Sequence, residues 1–564
     1  APPAAAAPTA RAVSAPPEQS PVIVSGPLGR QLDDALQRYQ AYGLSGTFLV
    51  AHGDEVVLSK GYGTCDRRRR APCTPDTLFD VGSISKQFTA TAIMRLEQEG
   101  RLRVTDELGD HVPSLPADLA RVTIHQLLTH TSGLEDDVGR YPPGDREAFL
   151  ARVGDHPRRH AGGSPSFSYS NAGYSLLAEV VRRASGRPYE TYLADMLRRA
   201  GLERTRFVPQ SEPPPDDAAT TYDGAPGQLV EAQRIPWYLR GAGGIHSTST
   251  DLLRWHRALA GDAVLGDRAQ ARLYETEIGD YAYGWHVRPG PHGKVVWHRG
   301  TIFGQQAMLK RYIDADLVVV YVINQRSGWL RLLRDLVDEM LDGVVRELPP
   351  LPAEGAARVR AGPYRLPSGA TLSLRQDGDR YAVVASGDEA FVLMSRPGAH
   401  ASWTRIDPAV PDGKRRTEQL LRALESGEPT RVQSLLPPEW PVPAADLLAM
   451  WRRTAAATGA STDRPLGWRI LGALPGADDV VHVVVELEGA MTTRFVGVAW
   501  KGATLRAVGM LTPLHPTAQA VAIDDQRLAW LAKDGTLLSA AQRGDDLVLT
   551  WPGGDELVAT RAAP

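Results

Sequence analysis

The order of local patterns predicts an α/β (α+β) fold in which residues 28–347 form one sheet-and-helix domain, followed by smaller β-rich units. Three observations carry this. A hairpin pattern comes early, with strands Gly46 to Ala51 and Val56 to Lys60 about a Gly53-Asp54 turn. Helical periodicity fills the middle of the domain. The most apolar stretch, Leu317 to Ile323, then has the length of a buried strand, and a long amphipathic helix, Trp329 to Val345, follows it. Strands first, helices next, then a strand and a closing helix describe a sheet whose first and last strands are far apart in sequence.

Each element has its own signal. Residues 1–27 are rich in Ala, Pro and Ser with little to bury, and are expected to be flexible. Arg30 to Tyr42 reads as a short amphipathic helix. A helix beginning near Ser83 carries Phe88, Ala92, Ile93 and Leu96 on its apolar face and stops at Gly100. Another runs from about Tyr174 through Leu177, Val180 and Val181 to the break at Gly186-Arg187-Pro188. Residues 348–358 are a proline-rich linker. Residues 359–408 alternate as short strands around an Asp377-Gly378 turn. Residues 409–515 are helical twice, Glu418 to Glu425 and Ala444 to Ala456. They then alternate over Trp468 to Ala473, Val480 to Leu487 and Thr493 to Trp500. Two helices across a curved antiparallel sheet would bury those faces, an order similar to a nuclear-transport-factor-2-like cone. Residues 516–564 return to short strands with Asp534-Gly535 and Gly553-Gly554 turns, and could complete the β unit begun at 359.

Composition narrows the function classes. The charged fraction is 23% and the formal net charge −3, which gives no reason to expect nucleic acid or an anionic membrane as partner. No apolar run approaches the roughly 18 residues of a membrane span. There is no charged n-region or apolar h-region, so the chain reads either as cytosolic or as the mature form of a periplasmic or secreted protein. The second is preferred, because Ala/Pro-rich leaders are common after an export signal. Cys65 and Cys73 flank a polar, arginine-rich stretch. A disulfide closing it would suit an oxidising compartment, and two separate thiols are the alternative. No metal or other cofactor is expected. Two cysteines do not make a zinc site, and His125 and His130 lack the i, i+4 spacing of a zincin, so both are read as structural.

The chemistry starts at Asp80-Val-Gly-Ser-Ile-Ser-Lys. Ser83 and Lys86, three apart at a helix start, would share one face, within reach for a lysine to take the proton of a serine nucleophile. The chain has seven lysines, and Lys86 alone has a serine three residues before it. Taken singly, Ser83 reads as a helix cap, Tyr169 as packing, Asn171 as a cap and His298 as a core histidine. Their order changes that reading. Tyr169-Ser170-Asn171 precedes a helix, and His298-Arg299-Gly300-Thr301 lies upstream of the strand Leu317 to Ile323.

Together these elements resemble the three signatures of the penicillin-recognising serine hydrolases: Ser-x-x-Lys, Tyr-x-Asn and Lys/His/Trp-x-Gly. Thr74 to Gly82, Ile124 to Leu134, Gly243 to Thr248 and Tyr283-Gly284-Trp285 are similar to the class C β-lactamase-like branch, so the resemblance spans roughly residues 30 to 347. It implies a β-lactamase/transpeptidase-like domain with an antiparallel sheet flanked by helices. It implies Ser83 as nucleophile, Lys86 as base once its ammonium loses a proton, and Tyr169 as relay to the leaving group. Asn171 would bind Lys86 or the substrate. The backbone N–H groups of Ser83 and Thr301 would form the oxyanion hole, with Gly300 allowing close approach.

One departure redirects the substrate expectation. Many members carry lysine in the third motif, where its charge holds a substrate carboxylate; here the residue is His298. Arg299, its strand neighbour, would point to the opposite face. A His-x-Gly version resembles D-aminopeptidases, D,D-peptidases and esterases of the same branch. The expected activity is hydrolysis of D-amino-acid-containing peptides or amides. The alternatives are a carboxylesterase on small acyl esters, and a weak β-lactamase or penicillin-binding protein that acylates without efficient turnover. An aminopeptidase needs a carboxylate for the substrate amine; Glu135, Asp136 and Asp137 could offer one, and a solvated acidic loop is the preferred alternative. The C-terminal units could restrict the cleft, bind a wall polymer or stabilise a homodimer.

Overall fold

The computed structural model describes residues 20–562 except 114, 135–144, 156–165, 209–214, 216, 224–227, 231–236, 303, 327–328, 345, 355–356, 378–379, 396, 398–408, 438–439, 441–442, 458–466, 476–479, 489–492, 510–516, 533–534 and 555. The first domain opens with β1 (Ile23–Val24), α1 (Gly26–Ala41), β2 (Gly46–His52) and β3 (Glu55–Tyr62). Its middle holds α2 (Ser85–Gln98) and α3 (Asn171–Ser185). It closes with β4 (His286–Gly290), β5 (Gly293–Ile302), β6 (Gln305–Tyr312), β7 (Leu317–Ile323) and α4 (Trp329–Leu341).

The seven strands form one antiparallel sheet in the order β1-β3-β2-β7-β6-β5-β4. The early hairpin and the late strand meet at its centre, from Gly46 against Ile323 to His52 against Leu317. Strand periodicity sends Phe48, Val50, Val319 and Tyr321 to one face, where Leu32, Leu36 and Tyr39 of α1 and Leu333 and Leu336 of α4 cover them. Leu49, Ala51, Val318, Val320 and Val322 go to the other face and pack with Phe88 of α2 and with Trp255. Both faces of β7 are therefore dry, which explains its unbroken apolar run. Each such fully buried side chain stabilises the fold by about 1.5–3 kcal/mol relative to an exposed one.

Three local expectations are corrected. Order begins before residue 27: Ile23 and Val24 pair with Ser59 and Leu58 as an edge strand, and α1 starts at Gly26 with Pro27 in its first turn. A proline there loses no helical hydrogen bond, and the Val22-Ile23-Val24 run supplies the β propensity. Residues 1–19 of that segment lie outside the described residues. The closing helix ends at Leu341, short of Val345, because Gly343 turns left-handed at φ 74°. Asp388–Ser395 is a helix where strand alternation was expected. Its residues Glu389 to Ser395 are all buried, and an apolar run with no polar face does not reveal its period. The cysteine alternative resolves as a Cys65–Cys73 disulfide, Cα atoms 4.8 Å apart.

Beyond the linker, Gly362–Arg365, Thr371–Asp377 and Arg380–Ser386 join five late strands, between Thr517 and Arg561, in a closed eight-stranded barrel. Arg380 pairs with Val521 and Tyr364 with Arg561 to close it. Inserted between the halves are helices Ala409–Ser426 and Ala444–Ala457 and a four-stranded antiparallel sheet: Gly467–Pro475, Val480–Glu488, Thr493–Lys501 and Thr504–Gly509. The barrel packs on the α1/α4 side of the seven-stranded sheet. Val521 and Ala529 join that core, and Gln519 Nε2 donates to the Ala41 carbonyl at 2.7 Å. Among the described residues no helix is long and apolar enough to cross a membrane.

Candidate active site

The approach to Ser83 is built by a tight turn. Gly82 takes φ 54°, which a side chain resists, and its N–H donates to the Asp80 carboxylate at 2.8 Å. The Asp80 N–H in turn donates to Gln305 Oε1 at 2.8 Å, tying the turn to β6. A single 3₁₀ turn, Gly82–Ile84, then leads into α2. Ser83 sits in that turn and Lys86 one turn further on, with Lys86 Nζ 3.2 Å from Ser83 Oγ.

Lys86 is completely buried. Besides Ser83, its Nζ donates to Asn171 Oδ1 at 2.6 Å and to the Ala242 carbonyl at 3.2 Å. Two rings flank it, Tyr169 at 4.8 Å and Tyr174 at 5.5 Å from Nζ to centroid. Asn171 reaches Lys86 because it opens α3. The cap is its neighbour Ser170, whose Oγ accepts from the Gly173 N–H at 3.1 Å, so the Asn171 side chain is spent on the lysine and not on the helix end.

On β5, His298 is buried beside this cluster. Its Nδ1 donates to the Arg299 carbonyl at 2.7 Å, leaving Nε2 to accept from the Tyr281 hydroxyl at 3.0 Å. Burial first, then the neighbouring Lys86 charge and His286, hold its pKa well below the ordinary histidine value, so His298 is a neutral group. Arg299 and Thr301 expose their side chains on the alternate face.

Gly300 is where β5 meets the nucleophile turn. A Cβ there would lie 1.9 Å from the Val81 carbonyl oxygen and 3.2 Å from Ser83 N. A Cβ on Gly82 would lie 2.9 Å from Thr301 N. Glycine at both positions lets the two segments meet closely, with the Ser83 and Thr301 backbone nitrogens at the contact.

Ser83, Lys86, Tyr169, Asn171, His298, Gly300 and Thr301 thus lie together in one cluster. Ala242, Tyr174 and Tyr281 join them. Sequence reading missed these three, because a backbone carbonyl and two buried tyrosines leave no local pattern. His125 contacts the Tyr283 hydroxyl at 2.7 Å and Glu277 at 3.0 Å. Glu135, Asp136 and Asp137 lie outside the described residues. Among the described residues no group of His, Cys, Asp and Glu could hold a metal ion.

A buried lysine hydrogen-bonded to a serine at the head of a helix, beside a three-layered antiparallel sheet domain, defines a serine acyl-transfer hydrolase class. The Beta-lactamase family model matches residues 30–338, more than half of the chain. The chain belongs to the Beta-lactamase family, which takes in penicillin-binding proteins and serine β-lactamases. A penicillin-binding protein of Bacillus subtilis is 25% identical over 389 residues, covering 62% of this chain and 86% of that protein. The octameric penicillin-binding protein homologue from Pyrococcus abyssi superposes with a TM-score of 0.51 at 18% identity, covering 94% of this chain and 100% of that one. FmtA from Staphylococcus aureus gives 0.52 at 20% identity over 59% of this chain and 92% of its own. At those identities the two structures speak to the fold alone.

Proposed function

We propose that this chain hydrolyses D-amino-acid-containing peptides or amides through an acyl-enzyme on Ser83. The observation that carries the reading is the contact of the buried Lys86 amine with Ser83 Oγ at 3.2 Å, with Asn171 Oδ1 on its other side at 2.6 Å. In its neutral form Lys86 takes the Ser83 proton as Oγ attacks the substrate carbonyl. The Ser83 and Thr301 N–H groups receive the developing oxyanion. Tyr169, paired with Lys86, passes a proton to the leaving amine as the scissile C–N bond breaks. The same pair then deprotonates a water that releases the acid product and restores Ser83.

The neutral, buried His298 supports a substrate that brings no carboxylate to the third motif, and it favours one second reading. A carboxylesterase on small acyl esters needs the same acyl-transfer groups and no such cation. Weak β-lactamase activity, or penicillin acylation without efficient turnover, is the least supported by a histidine at this position. The Cys65–Cys73 disulfide supports export to a periplasmic or extracellular compartment. Residues 28–347 are proposed as the catalytic unit, with the barrel (359–408 and 516–564) and the inserted α+β unit (409–515) as accessory units that limit access or mediate self-association.

The test is a panel of D-aminoacyl amides, D-Ala-D-Ala peptides, p-nitrophenyl esters and a chromogenic cephalosporin, read with intact-mass spectra and Ser83→Ala as control. Turnover of D-amides or D-peptides is expected. Turnover confined to esters selects the second reading. Mass labelling without turnover selects a penicillin-binding role, and activity surviving in Ser83→Ala overturns the mechanism.

A further inference from the structure

His130, in Thr129-His130-Thr131-Ser132-Gly133, has a left-handed backbone (φ 58°) although it is not glycine, and it is buried against the rings of Tyr169, Tyr174 and Tyr281. Its carbonyl accepts the Ser168 N–H at 2.8 Å, and its ring Nδ1 accepts the Ser170 N–H at 3.1 Å. The two donors bracket Tyr169, whose ring lies 4.3 Å from the imidazole, centroid to centroid. Residues 166–170 belong to no helix or strand. An Nδ1 acceptor requires a neutral ring protonated at Nε2, and that Nε2 has no hydrogen-bond partner among the described residues. The ring therefore leaves one buried nitrogen unsatisfied while its other nitrogen holds the Tyr169 segment.

We propose that His130 is the positioning residue for Tyr169: one residue, through its backbone oxygen and its Nδ1, holds the N–H groups of the residues on either side of the tyrosine and sets where the phenol meets Lys86. This rests on the reading of Tyr169 as the proton relay. The unusual backbone is part of the device, because it turns the carbonyl and the side chain of one residue towards the same segment. A small displacement of a proton relay costs on the order of 100-fold in rate, so a clamp of this kind is expected to act on kcat more than on KM.

Three substitutions separate this from packing. His130→Asn keeps an acceptor at the Nδ1 position and tolerates the left-handed backbone. His130→Gln fills more of the space but moves the acceptor to the Nε2 position. His130→Gly takes the backbone freely and has no acceptor. Steady-state kinetics with D-alanyl p-nitroanilide and p-nitrophenyl acetate are measured on folded protein, checked by circular dichroism. The expected result is kcat within about 10-fold of wild type for Asn and about 100-fold lower for Gln and Gly, with KM changed much less. Gln or Gly matching Asn, or all three behaving alike, overturns the clamp. Tyr169→Phe is measured beside them. If it keeps wild-type kcat the relay reading itself fails, whereas an inactive Tyr169→Phe with the Asn, Gln and Gly variants alike removes only the role of His130.

Discussion

Lys86 Nζ lies closer to Asn171 Oδ1, at 2.6 Å, than to Ser83 Oγ, at 3.2 Å. The Ala242 carbonyl accepts from the same amine at 3.2 Å. The proposed mechanism needs the amine neutral, so the balance between these partners governs how readily Ser83 is activated.

Asn171→Asp is therefore predicted to impair the enzyme under neutral conditions. A carboxylate at this distance favours the ammonium, so a higher pH is needed to free the amine, and the rising limb of the kcat/KM profile should move to the alkaline side. Asn171→Ala should lose about 10- to 100-fold in kcat/KM without that displacement. pH-rate profiles of both variants check this. An unmoved limb in the aspartate variant would count against Lys86 as base.

Gly300→Ala tests the close approach of β5 to the nucleophile turn. Its Cβ would meet the Val81 oxygen at 1.9 Å, a distance no relaxation of side chains alone relieves. Pushing the strand away separates the Thr301 and Ser83 amides. A loss of about 100-fold or more in kcat is expected, the scale of an oxyanion-hole donor, together with a lowered melting temperature. Acylation rate and thermal unfolding of the purified variant report the two effects.

Glu179, on α3, is fully buried among Arg146, Arg182 and Arg183. Burial alone would raise its pKa, but hydrogen bonds from the three guanidinium groups overcome this and hold it at about 2. Its folded value lies below the ordinary 4.5, so its contribution is fully present above that pH and is lost as pH falls from there towards 2. Glu179→Gln should be destabilised near neutrality, because it removes the carboxylate that Arg146, Arg182 and Arg183 share, and should show a flatter fall in stability over that acid range. Urea unfolding across pH checks it; parallel acid limbs in variant and wild type would refute the assignment.

His298 carries a dependence of the same sign, set at a higher pH. Its pKa is depressed below the ordinary 6.5, so the fold is supported above that value and penalised as pH falls beneath it. No limb of the activity profile between about pH 6 and 8 should belong to this residue. His298→Gln, which offers Tyr281 an acceptor at the Nε2 position, is expected to lower kcat/KM while leaving the shape of its pH profile unchanged. A limb that disappears in this variant would show that the histidine does titrate during turnover.

Local signals were the legible ones. Ser83 and Lys86 lie one helical turn apart, so their 3.2 Å contact follows from helix geometry once the turn forms. Gly100 and Gly186, both left-handed, end α2 and α3 where a glycine was read as a stop. The apolar run Leu317–Ile323 is β7 with the same limits. The edge strand Ile23–Val24, the buried helix Asp388–Ser395 and the hairpin of β5 and β6 were not read. Two residues are too few for a period, and burial on every side erases the polar half of one.

By itself, the sequence determined the α/β order, the family resemblance and the candidate residues, because backbone propensity, turn chemistry and short spacings are properties of neighbours in the chain. The tertiary structure decided what those residues touch. Between a helix cap, the substrate and Lys86 it chose the lysine, 85 positions away, for Asn171, and it buried His298 as a neutral group. It also set His130 around Tyr169. These outcomes depend on burial and on distances between segments remote in sequence, and no local pattern carries either.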